Sequence, residues 1–227
     1  MATLQSRRPI FVEFVGAAGA GKSFIASELH DELDRRKIGA ADLLDSAISK
    51  IDIRNYLIFA NAFIVASRLA PRDLALHIST VKRLSKLNIR RAAADAASQV
   101  VICDEGIFQI IRALYRNSRA HSMVEVASRL RGYVDMPDIV IAVDASADTV
   151  FSRRTRRNRT GDRFDRQSVA RDVAMIGDTV AAVRHVQTFP EVSMDCLLVD
   201  VNESSFQPVI DKIAALIESR AVLNVSR

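Results

Sequence analysis

Apolar residues along this chain fall into two patterns, short unbroken runs and stretches with helical spacing. Pro9–Val15, Gln99–Asp104, Asp138–Asp144 and Cys196–Val201 are β-prone runs of strand length, as expected of strands covered on both faces. Between them the spacing is helical. Ile25, Leu29 and Leu33 recur every fourth residue, and Val169, Val173, Ile176, Val180 and Val183 are spaced 4, 3, 4 and 3. Phe108, Ile111 and Leu114 mark another helical face, as do Met123, Val126 and Leu130. Phe206, Val209, Ile213 and Leu216 predict the buried face of a final helix. From Ile48 to Ser98 the chain reads as helices broken near Pro71, with Leu74, Ile78, Val81 and Leu84 on a buried face. A short strand is expected near Ala40–Leu44, after a helix stop at Lys37-Ile38-Gly39. Ser146 is placed to cap the helix after the Asp138–Asp144 strand. Strands alternating with helices predict an α/β fold of three layers, a parallel sheet with helices on both faces and right-handed crossovers.

The turn after the first strand carries the chemistry. Gly16-Ala17-Ala18-Gly19-Ala20-Gly21-Lys22-Ser23 spells G-x-x-x-x-G-K-S between a strand and a helix, the context that makes this pattern a phosphate-binding loop, or Walker A motif. Its glycines let backbone N–H groups converge on an anion, and the following helix start adds unpaired donors and partial positive charge. Phe24 completes the segment expected to hold nucleoside triphosphate. Lys22 is expected to reach the β- and γ-phosphates and Ser23 to ligate Mg²⁺. An Ala/Gly-rich turn without a ligand is the plainer alternative, and the Gly-Lys-Ser ending argues against it.

Composition narrows the class. The 227 residues are 49% hydrophobic and 26% charged, ordinary for a globular protein, and without linker or repeat they predict one domain over 1–227. No apolar run approaches a membrane span, and Met1–Pro9 has no signal-like segment. Cys103 and Cys196 lie in strand-like runs and read as core residues, and four histidines give no zinc spacing. A cytoplasmic setting is therefore expected. The net charge is +5, with Arg153, Arg154, Arg156, Arg157, Arg159, Arg163 and Arg166 crowded together. Such a cluster suits a solvated face, a nucleic-acid patch or a phosphate clamp. Only Phe164 supplies an aromatic platform among them, which argues against nucleic acid.

Phosphoryl transfer needs a metal-orienting acid and positive charge on the moving group. Asp104, ending the central run, is the candidate to hold Mg²⁺ with Ser23; its alternative is a strand-end acid capping the next helix. Glu105 beside it is a candidate base for a substrate hydroxyl or an attacking water, or a helix-start acid facing the dipole.

The glycine loop, the Cys103-Asp104-Glu105 strand end, the helix into Arg153–Arg157 and Gly161-Asp162-Arg163-Phe164-Asp165 together resemble thymidylate kinases and related nucleoside and nucleotide kinases. The resemblance runs in order over nearly the whole chain. It implies a five-stranded parallel sheet, ATP with Mg²⁺ as donor, and a short Arg-rich LID at about 153–166. Arg153, Arg157, Arg159 and Arg163 are the implied LID arginines, Arg163 stabilising transition-state charge, and the loop at Asn202 is implied to lie near adenine. The chain departs from that family in having Glu105-Gly106 where an arginine usually follows the strand-end acid. Arg54, Arg68, Arg72 and Arg112 are the candidates to replace it.

An ATP-dependent kinase of a nucleotide, nucleoside or other small acceptor is thus the leading expectation, with a homodimer compatible. The alternative is a P-loop NTPase or ATP-binding regulatory protein. No Asn-Lys-x-Asp motif for guanine is present.

Overall fold

The computed structural model describes residues 9–42, 78, 80, 83–84, 87, 99–104, 106–117, 120–131, 134–156, 166–202 and 206–225. Glu105, Arg54, Arg68, Arg72, Arg157, Arg159 and Arg163 lie outside them. In chain order the described elements are β1 (Ile10–Gly16), α1 (Lys22–Arg35), β2 (Ala40–Asp42), β3 (Val100–Cys103) and α2 (Ile107–Asn117). They continue as α3 (Met123–Leu130), β4 (Ile139–Asp144), α4 (Ala147–Arg156), α5 (Arg166–Gln187), β5 (Asp195–Asp200) and α6 (Gln207–Val225). The strands form one sheet in the order β2–β3–β1–β4–β5, every neighbouring pair parallel. Four strands are four to seven residues long and β2 is a three-residue edge.

Alternation along the buried strands sends side chains into two cores. Phe11, Val15, Val101, Val140 and Ala142 pack beneath α2, α3 and α5. Ile10, Val12, Phe14, Ile102, Ile141 and Val143 pack beneath α1 and α6, joined by Val150 of α4. The helical spacings hold for α2, α3 and α5, whose Phe108, Ile111, Leu114, Met123, Val126, Leu130, Val180 and Val183 are buried. In α6 the buried face is turned by one position: Ile210, Ile213, Ala214 and Ile217 are buried, while Phe206, Val209 and Leu216 are partly so. Ile78, expected on a buried face, is 45% exposed, whereas Leu84 is buried.

Two local features differ from the expected pattern. Lys37, not Gly39, carries the left-handed turn that ends α1, with φ 59°. The N–H groups of Lys37 and Ile38 return to the carbonyls of Asp34 and Leu33, so the last helical carbonyls are satisfied as in a Schellman motif. Glu13 interrupts the apolar β1 run and is 2% exposed. Its carboxylate accepts the Gln109 N–H at 3.0 Å in the first turn of α2, where free N–H groups and the helix dipole favour an anion. This carboxylate explains Gly106. A Cβ there would lie 2.4 Å from Glu13 Cδ and 2.5 Å from Oε2, so any side chain would displace the buried acid. Gly106→Ala is expected to lower stability by about 1–3 kcal/mol, the usual cost of overpacking. Urea unfolding would measure it, and an unchanged midpoint would contradict the contact.

Candidate functional site

β1 carries the chain out of the sheet between β3 and β4, and the glycine loop turns back at its carboxyl end. Gly16 is required by close approach: a Cβ on it would lie 2.6 Å from the Val143 carbonyl. Gly19 and Gly21 adopt φ 88° and 108°, in the region that disfavours side chains. Gly21 then leads into α1 without a capping side chain. The first N–H groups of α1 are thus not claimed by a cap, which suits an anion at this helix start.

The predicted loop residues come together with Lys22, Ser23 and Asp104. Lys22 folds back along the loop, its Nζ donating to the carbonyls of Gly16 at 3.1 Å and Ala17 at 3.0 Å. The ammonium therefore lies over the rim of the cradle. Ser23 Oγ donates to Asp104 Oδ2 at 2.9 Å. A hydroxyl and a carboxylate at contact distance form an oxygen donor pair of the type Mg²⁺ prefers, the remaining positions going to water and phosphate oxygens. The donor chemistry therefore fits the implied metal. Among the described residues no group of three or more His, Cys, Asp and Glu gathers as a protein-only metal site.

Asn202 lies at the carboxyl end of β5. Its Oδ1 accepts the Ser146 N–H at 2.8 Å and its Nδ2 donates to Asp200 at 2.6 Å. It ties the β4–α4 turn to the end of β5. Ser146 caps α4 as expected, its Oγ accepting the Thr149 N–H at 3.2 Å. Phe24, in the first turn of α1, is 47% exposed and meets Phe206 edge-on, with ring centroids 5.1 Å apart. Cys103 and Cys196 are partly buried against the core beneath α2, α3 and α5 rather than within it, and burial raises the Cys196 pKa from its ordinary value, which suppresses thiolate reactivity.

Arg153 and Arg154 at the end of α4 turn toward the loop, while Arg156 is exposed. Arg153 donates to the Ala20 carbonyl at 2.8 Å, beside Gly21, where a Cβ would meet it at 3.2 Å. Arg154 donates to the Ala18 carbonyl at 2.6 Å and to Asp172 at 2.7 Å. Asp172 also pairs with Arg112 at 3.1 Å. Arg112 is 3% exposed and further donates to the Thr179 hydroxyl at 3.3 Å and the Asp172 carbonyl at 2.8 Å. Burial lowers its pKa, with Asp172 opposing. Arg112 is thus committed to α5, which corrects its candidacy as the arginine facing an acceptor phosphate.

Arg154, Asp172 and Gln109 were not singled out by motif. Gln109 Oε1 accepts the Gly16 N–H at 3.4 Å. Arg112 had a legible signal, a charge between Ile111 and Leu114 on a helix whose neighbours are apolar. Asp172 carried none, because it stands one position before the Val173 of a regular amphipathic repeat.

No protein-family model matches the chain, and no curated protein matches it. Solved structures do. Deoxyadenosine kinase from M. mycoides with the products dCMP and a flexible dCDP superposes at TM-score 0.53 with 17% identity, covering 92% of this chain and 100% of that one. The same enzyme with bound dCTP gives TM-score 0.49 and 16% identity at the same coverage. The first superposition establishes a shared fold, an α/β arrangement built on a parallel sheet.

The Arg112–Asp172 pair makes an asymmetric stability test. Asp172→Asn leaves Arg112 buried without its counter-ion, whereas Arg112→Met leaves Asp172 still paired with Arg154. Removing the partner of a buried charge costs about 3–5 kcal/mol. Urea unfolding is therefore expected to show Asp172→Asn as the more destabilised variant by about 1 kcal/mol or more. Equal losses would contradict the arrangement.

Proposed function

We propose that this chain is a phosphotransferase that takes the terminal phosphoryl group of ATP, with Mg²⁺, and delivers it to a nucleoside, a nucleotide or a related small acceptor. The observation that carries the proposal is the cradle itself. A left-handed glycine loop opens into α1, Lys22 lies along its rim, and Ser23 and Asp104 make contact at 2.9 Å. The deoxyadenosine kinase fold supports placing the acceptor among nucleosides and nucleotides.

Each residue then has a physical task. The loop amides at Gly19 and Gly21 and those at the start of α1 hold the phosphate chain, and Lys22 neutralises charge on its outer oxygens. Ser23 and Asp104 are the residues that would hold Mg²⁺, whose chemistry when bound is to neutralise phosphate charge and orient the oxygens. Arg153 braces the loop at Ala20, and Phe24 with Phe206 offers an apolar aromatic flank where the nucleoside leaves the cradle. Arg157, Arg159 and Arg163 are assigned to the LID by resemblance, with Arg163 over the transferring group, and Glu105 is assigned as the acceptor-side base. Arg54, Arg68 and Arg72 remain the candidates for the acceptor-side arginine.

The test is transfer from radiolabelled ATP to a panel of nucleosides and monophosphates. Label is expected on at least one acceptor. Lys22→Ala should lower turnover about 100-fold or more, the usual cost of losing one electrostatic donor at a reacting centre, with far-UV circular dichroism unchanged. Asp104→Asn should raise the Mg²⁺ concentration for half-maximal activity, because an amide holds the hydrated ion less well than a carboxylate. Label released only as inorganic phosphate would favour a hydrolase, and full turnover by Lys22→Ala would remove the donor-site assignment.

A further inference from the structure

The segment from Asp104 to Gln109 meets the glycine loop at both of its ends. Asp104 Oδ2 accepts from the hydroxyl of the last loop residue, Ser23, at 2.9 Å. Gln109 reaches the first loop residue, its Oε1 accepting the Gly16 N–H at 3.4 Å. Gln109 is itself anchored. Its backbone N–H donates to Glu13 Oε1 at 3.0 Å, and Glu13 is 2% exposed. The other carboxylate oxygen of Glu13 lies against Gly106, 2.5 Å from where a Cβ would stand. β1 and the first turn of α2 are therefore tied twice through one residue, once by its backbone and once by its side chain.

Sheet pairing shows what the tie adds. β1 and β3 stay in register as far as Glu13 and Cys103, while β1 runs on to Gly16. Asp104 follows the last paired residue, so the strand fixes its backbone from one side. On the other side the chain enters α2, whose first turn is held by Glu13. Gly16 in turn is held at both polar atoms, its N–H by Gln109 and its carbonyl by Lys22 Nζ at 3.1 Å.

We propose that Gln109 is a positioning residue, anchored by buried Glu13, that ties the start of α2 to the loop entry and so keeps Asp104 against Ser23 as the oxygen pair for Mg²⁺. Magnesium takes few protein oxygens and demands near-ideal geometry from them. A loosely held carboxylate therefore weakens the metal, while the backbone amides still hold the phosphates. The consequence is that the Mg²⁺ requirement for ATP binding is set in part from α2, by a residue that is not itself a ligand. The metal part of this inference rests on the donor-site reading above; the tie between Gln109 and Gly16 does not.

Two measurements separate the cases. Gln109→Met keeps the side-chain length and the backbone bond to Glu13 but removes the acceptor, whereas Gln109→Glu keeps an acceptor oxygen. Hydrogen exchange at the Gly16 amide, followed by NMR without nucleotide, tests the tie alone. Gln109→Met is expected to speed it about 5-fold, the effect of one lost hydrogen bond, and Gln109→Glu to leave it within about 2-fold of the parent. Calorimetric titration with ATP at stepped Mg²⁺ concentrations tests the consequence. Gln109→Met should raise the Mg²⁺ concentration for half-maximal ATP binding about 10-fold, the lower end of the cost of losing support for a metal ligand. ATP binding in EDTA should change less than about 2-fold, because the amides that hold the phosphates are kept. In an Asp104→Asn background the same change should add less than about 2-fold, since both act through one carboxylate. A role confined to folding would weaken ATP with and without the metal alike. Unaltered Gly16 exchange, equal weakening in Mg²⁺ and in EDTA, or fully additive losses would each overturn the proposal. A parent protein that bound no ATP, or bound it independently of Mg²⁺, would overturn the donor-site reading and the metal claim together. Gly16 exchange would then uphold or overturn the tie by itself.

Discussion

Everything at the candidate site depends on the close packing of the β1 end against β4. The Gly16 backbone lies so near the Val143 carbonyl that a Cβ would stand only 2.6 Å from it. A chain pinned there has little room to move sideways, so the loop must turn immediately and can do so only through glycine. Hydrogen-bonded neighbours on both sides of β1 fix its height in the sheet. The carboxyl end of β3 is brought level with it, and Asp104 meets Ser23. A sheet register thus becomes a distance between two oxygens. Parallel α/β sheets gather ligands at the carboxyl ends of their strands for this reason.

A second layer of order holds the loop from outside. Arg153 and Arg154 cross from α4 to the carbonyls of Ala20 and Ala18, and Asp172 links that contact to Arg112 in the packed interior. Carbonyls that point away from a phosphate cradle are otherwise left to solvent, and guanidinium groups satisfy them with fixed geometry. Close packing of arginines along α4 and α5 costs electrostatic energy. Their partial engagement by loop carbonyls, and of Arg154 by Asp172, offsets it. On the other face, Arg36 joins α1 to Glu218 of α6 without bearing on the loop.

Much of this was legible in the residues. The four apolar runs, the glycine loop and the pairing of Ser23 with a strand-end acid follow from periodicity and motif, because buried parallel strands leave unbroken apolar stretches. Other parts were hidden for physical reasons. Glu13 looks like the polar position of a half-exposed strand, and only the approach of the α2 start shows why it is buried. Gly106 reads as a departure from the resembled family until that carboxylate is located against it. The left-handed cap at Lys37 was assigned to Gly39 because glycine is the commoner choice there. Ile78 kept helical spacing and yet is exposed, since periodicity alone does not say whether a face is covered. Arg154 lies in the arginine cluster without having been singled out within it, Asp172 belongs to no motif, and their partnership exists only once α4 and α5 are packed together. Glu105, Arg157, Arg159 and Arg163 lie outside the described residues, so their roles rest on the resemblance.

The central claim is that the loop from Gly16 to Ser23 cradles the phosphates of ATP. Backbone amide shift mapping during titration with Mg–ATP tests it most directly, since the amides are themselves the ligands. The largest shifts should fall on Gly19, Ala20, Gly21, Lys22, Ser23 and Phe24. Shifts absent from these amides at millimolar nucleotide, or centred on a different surface, would contradict it.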